Sequence, residues 1–298
     1  MSAFPPWQPH PEVWLLVAGL IALGLYATRV IQPTVVAKGG KAVTTAQKRW
    51  FVSGVALLWI ASDWPMHNVG EERLYSVHMI QHLLFTLVIA PMLLLATPEW
   101  LGRLILGQGR VNRVFRRLAR PIPAALAYNV VVLLTHAAPV VNNSIKYGPL
   151  HYTVHAFVIG TALLVWTPIC GPFPELRSTP PVQMVSVFGL SIIPTIPSAF
   201  LTAADNVIYR GYDHGPRLWG ITALQDQEAA GAIMKIAGGF YLWGIIIVMF
   251  FRWMNKENDP KGFRGKLVTK VEPKPTEPVT VPSGTATTPT PEAAPPTR

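Results

Sequence analysis

Seven apolar runs dominate this sequence, each close to the length that crosses a bilayer. They lie near residues 12–31, 44–64, 74–97, 122–138, 150–170, 182–204 and 228–253. A membrane helix needs roughly 20 mostly apolar residues, and inside hydrocarbon a helix can satisfy its own backbone without water. Only 13% of the 298 residues are charged, against roughly 25% in soluble chains. The expected fold is an all-α membrane protein, a seven-transmembrane-helix bundle over residues 1–254. Thr44 followed three residues later by Gln47 predicts a capped start for the second helix. Pro194 and Pro197 predict a kink in the sixth.

The net charge is +10, but the positive residues are grouped beside apolar runs. That pattern fits contact with membrane lipid and argues against nucleic acid as a partner. The loop after the first run holds Arg29, Lys38, Lys41, Lys48 and Arg49, and the loop after the third holds Arg103, Arg110, Arg113, Arg116, Arg117 and Arg120. Arg252, Lys256, Lys261, Arg264 and Lys266 follow the last run. The alternate loops are poor in Lys and Arg. Positive residues stay on the cytoplasmic side, so the N-terminus is expected outside and the C-terminus in the cytoplasm. No Lys or Arg precedes the first run, so it is not an obvious signal peptide. Residues 255–298 are rich in Pro and Thr, and a disordered cytoplasmic tail is expected there. The lone Cys170 can form no internal disulfide and reads as a small buried residue at a cytoplasmic helix end.

This topology puts all eight histidines on the outer side. His78/His82 and His151/His155 are i,i+4 pairs at the outer ends of the third and fifth runs. Residues four apart share a helical face, so each pair can direct two imidazoles to one point. Imidazole suits zinc, copper, iron and nickel. His67, His136, Met66 and Asp63 lie at the same level and complete the candidate metal ligands; Met234 is a further thioether. His10 and His214, isolated in loops, read as interfacial polar groups. A ligand role needs neutral imidazole, so binding should weaken below about pH 6. Met79 in His78-Met-Ile-Gln-His82 occupies the place of the glutamate base in a zinc protease. A di-iron oxygenase would need more histidine and carboxylate boxes. A haem held by His82 with His136 or His155 stays open.

Three stretches resemble the membrane-integral CtaG family of bacterial cytochrome c oxidase assembly factors. They are SDWPMHNVGEERLYSVHMIQHLLFTLVIAPMLLLATP (62–98), HYTVHAFVIGTALLVWTPICGPFPE (151–175) and ALQDQEAAGAIMKIAGGFYL (223–242). The resemblance implies a seven-span protein of the bacterial cytoplasmic membrane, not an enzyme. It implies oxidase subunits as partners, and copper as the metal held or passed on, with a copper chaperone as a further partner. It singles out Asp226 and Gln227. One departure is Lys235, where the family pattern has an aromatic residue. A lysine inside a membrane helix is costly, and pairing with Glu228 or snorkelling is expected.

The leading expectation is an oxidase assembly factor handling copper at the outer face. A metal or proton transporter would need polar residues continuing into the cytoplasmic half, where few occur. A structural scaffold for oxidase subunits, without metal, is the third reading. The acidic loop with Asp205, Asp213, Asp226 and Glu228 reads as solvated, and the arginines of 103–120 as a lipid anchor.

Overall fold

The computed structural model describes residues 4–258, and all regular structure among them is helical. The chain divides after Trp253, and the first unit holds the bundle. The Pro- and Thr-rich tail expected from residue 255 lies, but for its first residues, outside the described residues. The helices are α1 (Pro11–Ala37), α2 (Thr45–Ser62), α3 (Met66–Glu72) and α4 (Tyr75–Ala96). Then come α5 (Glu99–Leu106), α6 (Arg110–Leu118), α7 (Pro121–Thr135) and α8 (Ala138–Ser144). The last are α9 (Gly148–Cys170), α10 (Pro180–Ile192), α11 (Thr195–Thr202) and α12 (Ala223–Glu257).

Helices stand at all seven expected positions. Five are long and apolar enough to cross a membrane: α1, α4, α9, α10 with α11, and α12. The pair α6 and α7, bent by 85°, makes a sixth if counted as one span. The helix α2 is not among them, because Gln47, Lys48 and Arg49 in its first turn dilute its apolar stretch. The chain is a multi-pass membrane protein.

Local structure follows from local sequence. Thr44 and Gln47 form the reciprocal capping box at the start of α2. Two π-helical turns, Ala27–Ile31 and Leu84–Ile89, interrupt α1 and α4. In both, the first N–H after the turn bonds five residues back, Gln32 to Ala27 and Ala90 to Phe85. The next donor in each register would be a proline, Pro33 or Pro91, which has no N–H. Each proline thus frees a carbonyl. In α4 that carbonyl belongs to Thr86, and the buried Trp166 indole of α9 donates to it at 2.8 Å. Pro194 separates α10 from α11, the expected kink, while Pro197 sits in the first turn of α11, where its missing N–H costs nothing.

The helix α4 is central. Just over half of its most apolar stretch, 56%, is buried, more than in any other candidate span. Leu87 and Ala90 of α4 pack with Tyr128 and Val132 of α7, Ala162, Val165 and Trp166 of α9, Val187 and Leu190 of α10 and Leu242 of α12. At one end of the bundle Glu175 accepts from Arg103 at 3.1 Å and Arg116 at 2.9 Å. Two of the arginines expected as lipid anchors therefore tie neighbouring loops together; Arg110, Arg113 and Arg117 are exposed.

The contact between α11 and α12 depends on Gly231. Ser198 Oγ donates to the Gly231 carbonyl at 2.7 Å. A Cβ at Gly231 would lie 2.6 Å from Thr202 Oγ1 and 2.8 Å from the Ser198 carbonyl oxygen. Small residues let membrane helices approach this closely. Gly231→Val is expected to destabilise the bundle by ~1–3 kcal/mol through overpacking, seen as a lower unfolding midpoint in detergent.

Candidate metal centre

The site forms where α4 and α9 begin. The first N–H groups of a helix have no intrahelical acceptor. In α4 the buried Asp226 carboxylate of α12 supplies one, accepting from Tyr75 N at 2.6 Å and Ser76 N at 3.0 Å. A negative group at a helix N-terminus also complements its dipole. Asp226 thus fixes the turn that carries His78 and, one turn on, His82. Its neighbour Gln227 accepts from Ile208 N at 2.7 Å and Tyr209 N at 3.3 Å, and the Tyr209 hydroxyl donates to the His136 carbonyl at 2.7 Å. The two residues singled out by the third sequence stretch are therefore positioning groups.

The two histidine pairs face each other. Ring centroids are 4.4 Å apart for His78/His82, 4.3 Å for His151/His155, 4.8 Å for His82/His155 and 5.8 Å for His78/His155. One ligand atom from each of His78, His82 and His155 lies within 4.8 Å of the other two. These three rings also have buried nitrogens without a hydrogen-bond partner among the described residues: His78 Nδ1, His82 Nε2 and His155 Nε2. Buried polar atoms are nearly always satisfied, so three orphaned acceptors or donors beside one another fit a missing common partner. A porphyrin clamped by His82 and His155 would need ring centroids farther apart than 4.8 Å, since about 2 Å separates metal from each nitrogen.

His151 belongs to a second set. Its Nε2 makes a close ion-pair contact with Glu71 Oε1, and His67 Nδ1 lies 3.4 Å from the same oxygen. Ligand atoms of His67, Glu71 and His151 again lie within 4.8 Å of one another. Gln81, fully buried between the pair in α4, donates to the Ala61 carbonyl at 2.7 Å and lies 3.2 Å from His67 Nδ1. Ala61 is in the last turn of α2, where carbonyls lack intrahelical donors. Burial lowers the pKa of His67, opposed in part by Glu71. Burial also pulls His10 down, but its contacts with Asn68 and Glu12 outweigh this and raise it. The His10 ring lies 4.8 Å from that of His67.

The remaining candidates fall elsewhere. Asp63 accepts from the indoles of Trp14 at 2.9 Å and Trp59 at 2.7 Å and from Trp64 N at 2.8 Å. Its carboxylate ties α1 to α2. Met66 packs beside Leu58 and Phe85, and Met234 joins Met79 in a cluster with Tyr75 and Tyr209. His136 binds the Val132 carbonyl through Nδ1 at 2.7 Å, and its buried Nε2 is unpartnered. A cavity of about 240 Å³ reaches both histidine pairs, His136, Glu71 and His214. Lys235 does not pair with Glu228; its Nζ donates to Thr195 Oγ1 at 2.6 Å. Lys235→Met is accordingly expected to leave metal content unchanged, checked on purified protein.

Glu71 was the residue that sequence reasoning passed over, while His10 and His214, expected as interfacial polar groups, border the histidine end, His10 beside His67 and His214 on the cavity wall. The signal for Glu71 is its spacing, four residues after His67 and so on the same helical face.

A family model, that of the cytochrome c oxidase caa3 assembly factor Caa3_CtaG, matches residues 22–256. No curated protein and no solved structure matches the chain. The family match spans both histidine sets and Asp226, and it covers most of the sequence; the chain belongs to the family of cytochrome c oxidase caa3 assembly factors.

Proposed function

We propose that this assembly factor works by holding copper at His78, His82 and His155 and yielding it to the oxidase during assembly. The observation that carries this reading is the trio of orphaned ring nitrogens on converging rings. Copper here is cargo. An uncharged imidazole set suits a soft or borderline first-row ion, and a site opening into a cavity at the helix ends allows release. The chain crosses the membrane seven times, with α2 as the less apolar crossing and α7 as the shorter one. The histidine end faces outward and the arginine end faces the cytoplasm, as the positive residues favour. Oxidase subunits are the recipients, and a copper chaperone is the donor.

The test is the copper content of protein purified under reducing conditions. Wild-type protein is expected to carry copper that a His78→Ala/His82→Ala variant lacks. Equal copper in the two would reject these residues as ligands, and none in either would favour a scaffold without metal.

A further inference from the structure

We infer that the histidine end carries a second, chemically distinct metal site, His67–Glu71–His151, for a divalent first-row ion. It deepens the copper reading and rests on it for the role of the inner His78–His82–His155 set.

The six residues fall into two sets of three, each with ligand atoms within 4.8 Å. Because metal–nitrogen bonds are about 2 Å, each set needs only a small contraction to close on one ion. The donor chemistry differs. The inner set is three neutral imidazoles. The outer set adds a carboxylate, which supplies negative charge and hard oxygen and so favours a divalent ion. Two histidines and one carboxylate are a common divalent ligand set.

Glu71 is placed for this. It follows His67 by one turn on α3, and α3 packs on the start of α4 so closely that a Cβ at Gly70 would lie 3.1 Å from His78 N. That packing turns the Glu71 carboxylate toward His151 rather than to solvent; its Oε1 is buried. The sets adjoin through α9, which sends His151 to one and His155 to the other, with their rings 4.3 Å apart. Gln81 reaches from the inner helix to His67. Glu71 and His151 of the outer set and all three residues of the inner set line the one cavity. A divalent ion held at the outer set therefore sits one ring away from the inner set, as a first station for metal entering from the cavity mouth.

The experiment is a Zn(II) titration of the purified full-length protein against a chromophoric chelator. Wild-type protein is expected to bind two equivalents. Glu71→Gln, nearly the same in shape, should bind one, and His67→Asn should lose the same equivalent. His82→Ala should also bind one, but retain the equivalent that Glu71→Gln loses, so a Glu71→Gln/His82→Ala chain binds none. Two equivalents in both Glu71→Gln and His67→Asn would overturn the second site. If His82→Ala keeps both equivalents while Glu71→Gln loses one, the inner copper reading fails and the outer site stands.

Discussion

Cells whose only copy of this chain carries His78→Ala and His82→Ala are expected to assemble no more than about a tenth of the normal amount of active oxidase. Loss of groups that merely orient a metal ligand already costs 10–100-fold in affinity as an order of magnitude, and these two residues are direct ligands in the proposed site. Their removal leaves His155 as the lone member of the inner set. Among the described residues His78 Nδ1 and His82 Nε2 have no hydrogen-bond partner through which they would hold helices together. The variant should therefore reach the membrane in normal amount, as an immunoblot would show. Oxidase activity per unit of membrane protein is the measurement. Normal activity from a copper-free variant would contradict copper delivery by these residues.

Asp226→Ala is expected to destabilise the bundle by ~2–4 kcal/mol, given that hydrogen bonds to charged groups contribute roughly 1.5–3 kcal/mol each and buried donors left unmade carry a further cost. The carboxylate accepts both leading N–H groups of α4 from a position 2% exposed, where water cannot substitute. Asp226→Asn keeps one acceptor oxygen and should fall between. Fraying of the first turn would also loosen His78, so metal affinity should fall with stability in this series. Thermal unfolding in detergent gives the first quantity and metal titration the second. An Asp226→Ala protein that unfolds at the wild-type midpoint would show that α4 is started by other groups.

The positions of the helices were legible because apolar length and capping chemistry are local. The capping box at Thr44 and the break at Pro194 lie within a few residues of the signals that announce them, and so does the i,i+4 spacing inside each histidine pair; that the two pairs meet is a contact between helices far apart in sequence. The count of crossings was less so, since Gln47, Lys48 and Arg49 make α2 marginal and Pro121 bends α7 away from α6. Side-chain roles were hardest. Asp63 stands beside a histidine-rich turn and reads as a ligand, yet three tryptophan N–H groups claim it, one of them from α1. Glu71 was not singled out from the sequence, and only the folding of α3 onto α4 turns it inward. Asp226 reaches a helix start 151 residues away in the sequence. Long-range partners of this kind have no periodicity to betray them.

The most direct test of the central claim is X-ray absorption at the copper edge of the Cu(I)-loaded wild-type protein and its His82→Ala variant. The account predicts a first shell of imidazole nitrogens at about 2 Å in the wild type, with one nitrogen lost or the copper gone in His82→Ala. A shell dominated by thioether sulfur, or a wild-type spectrum that His82→Ala leaves unchanged, would contradict it.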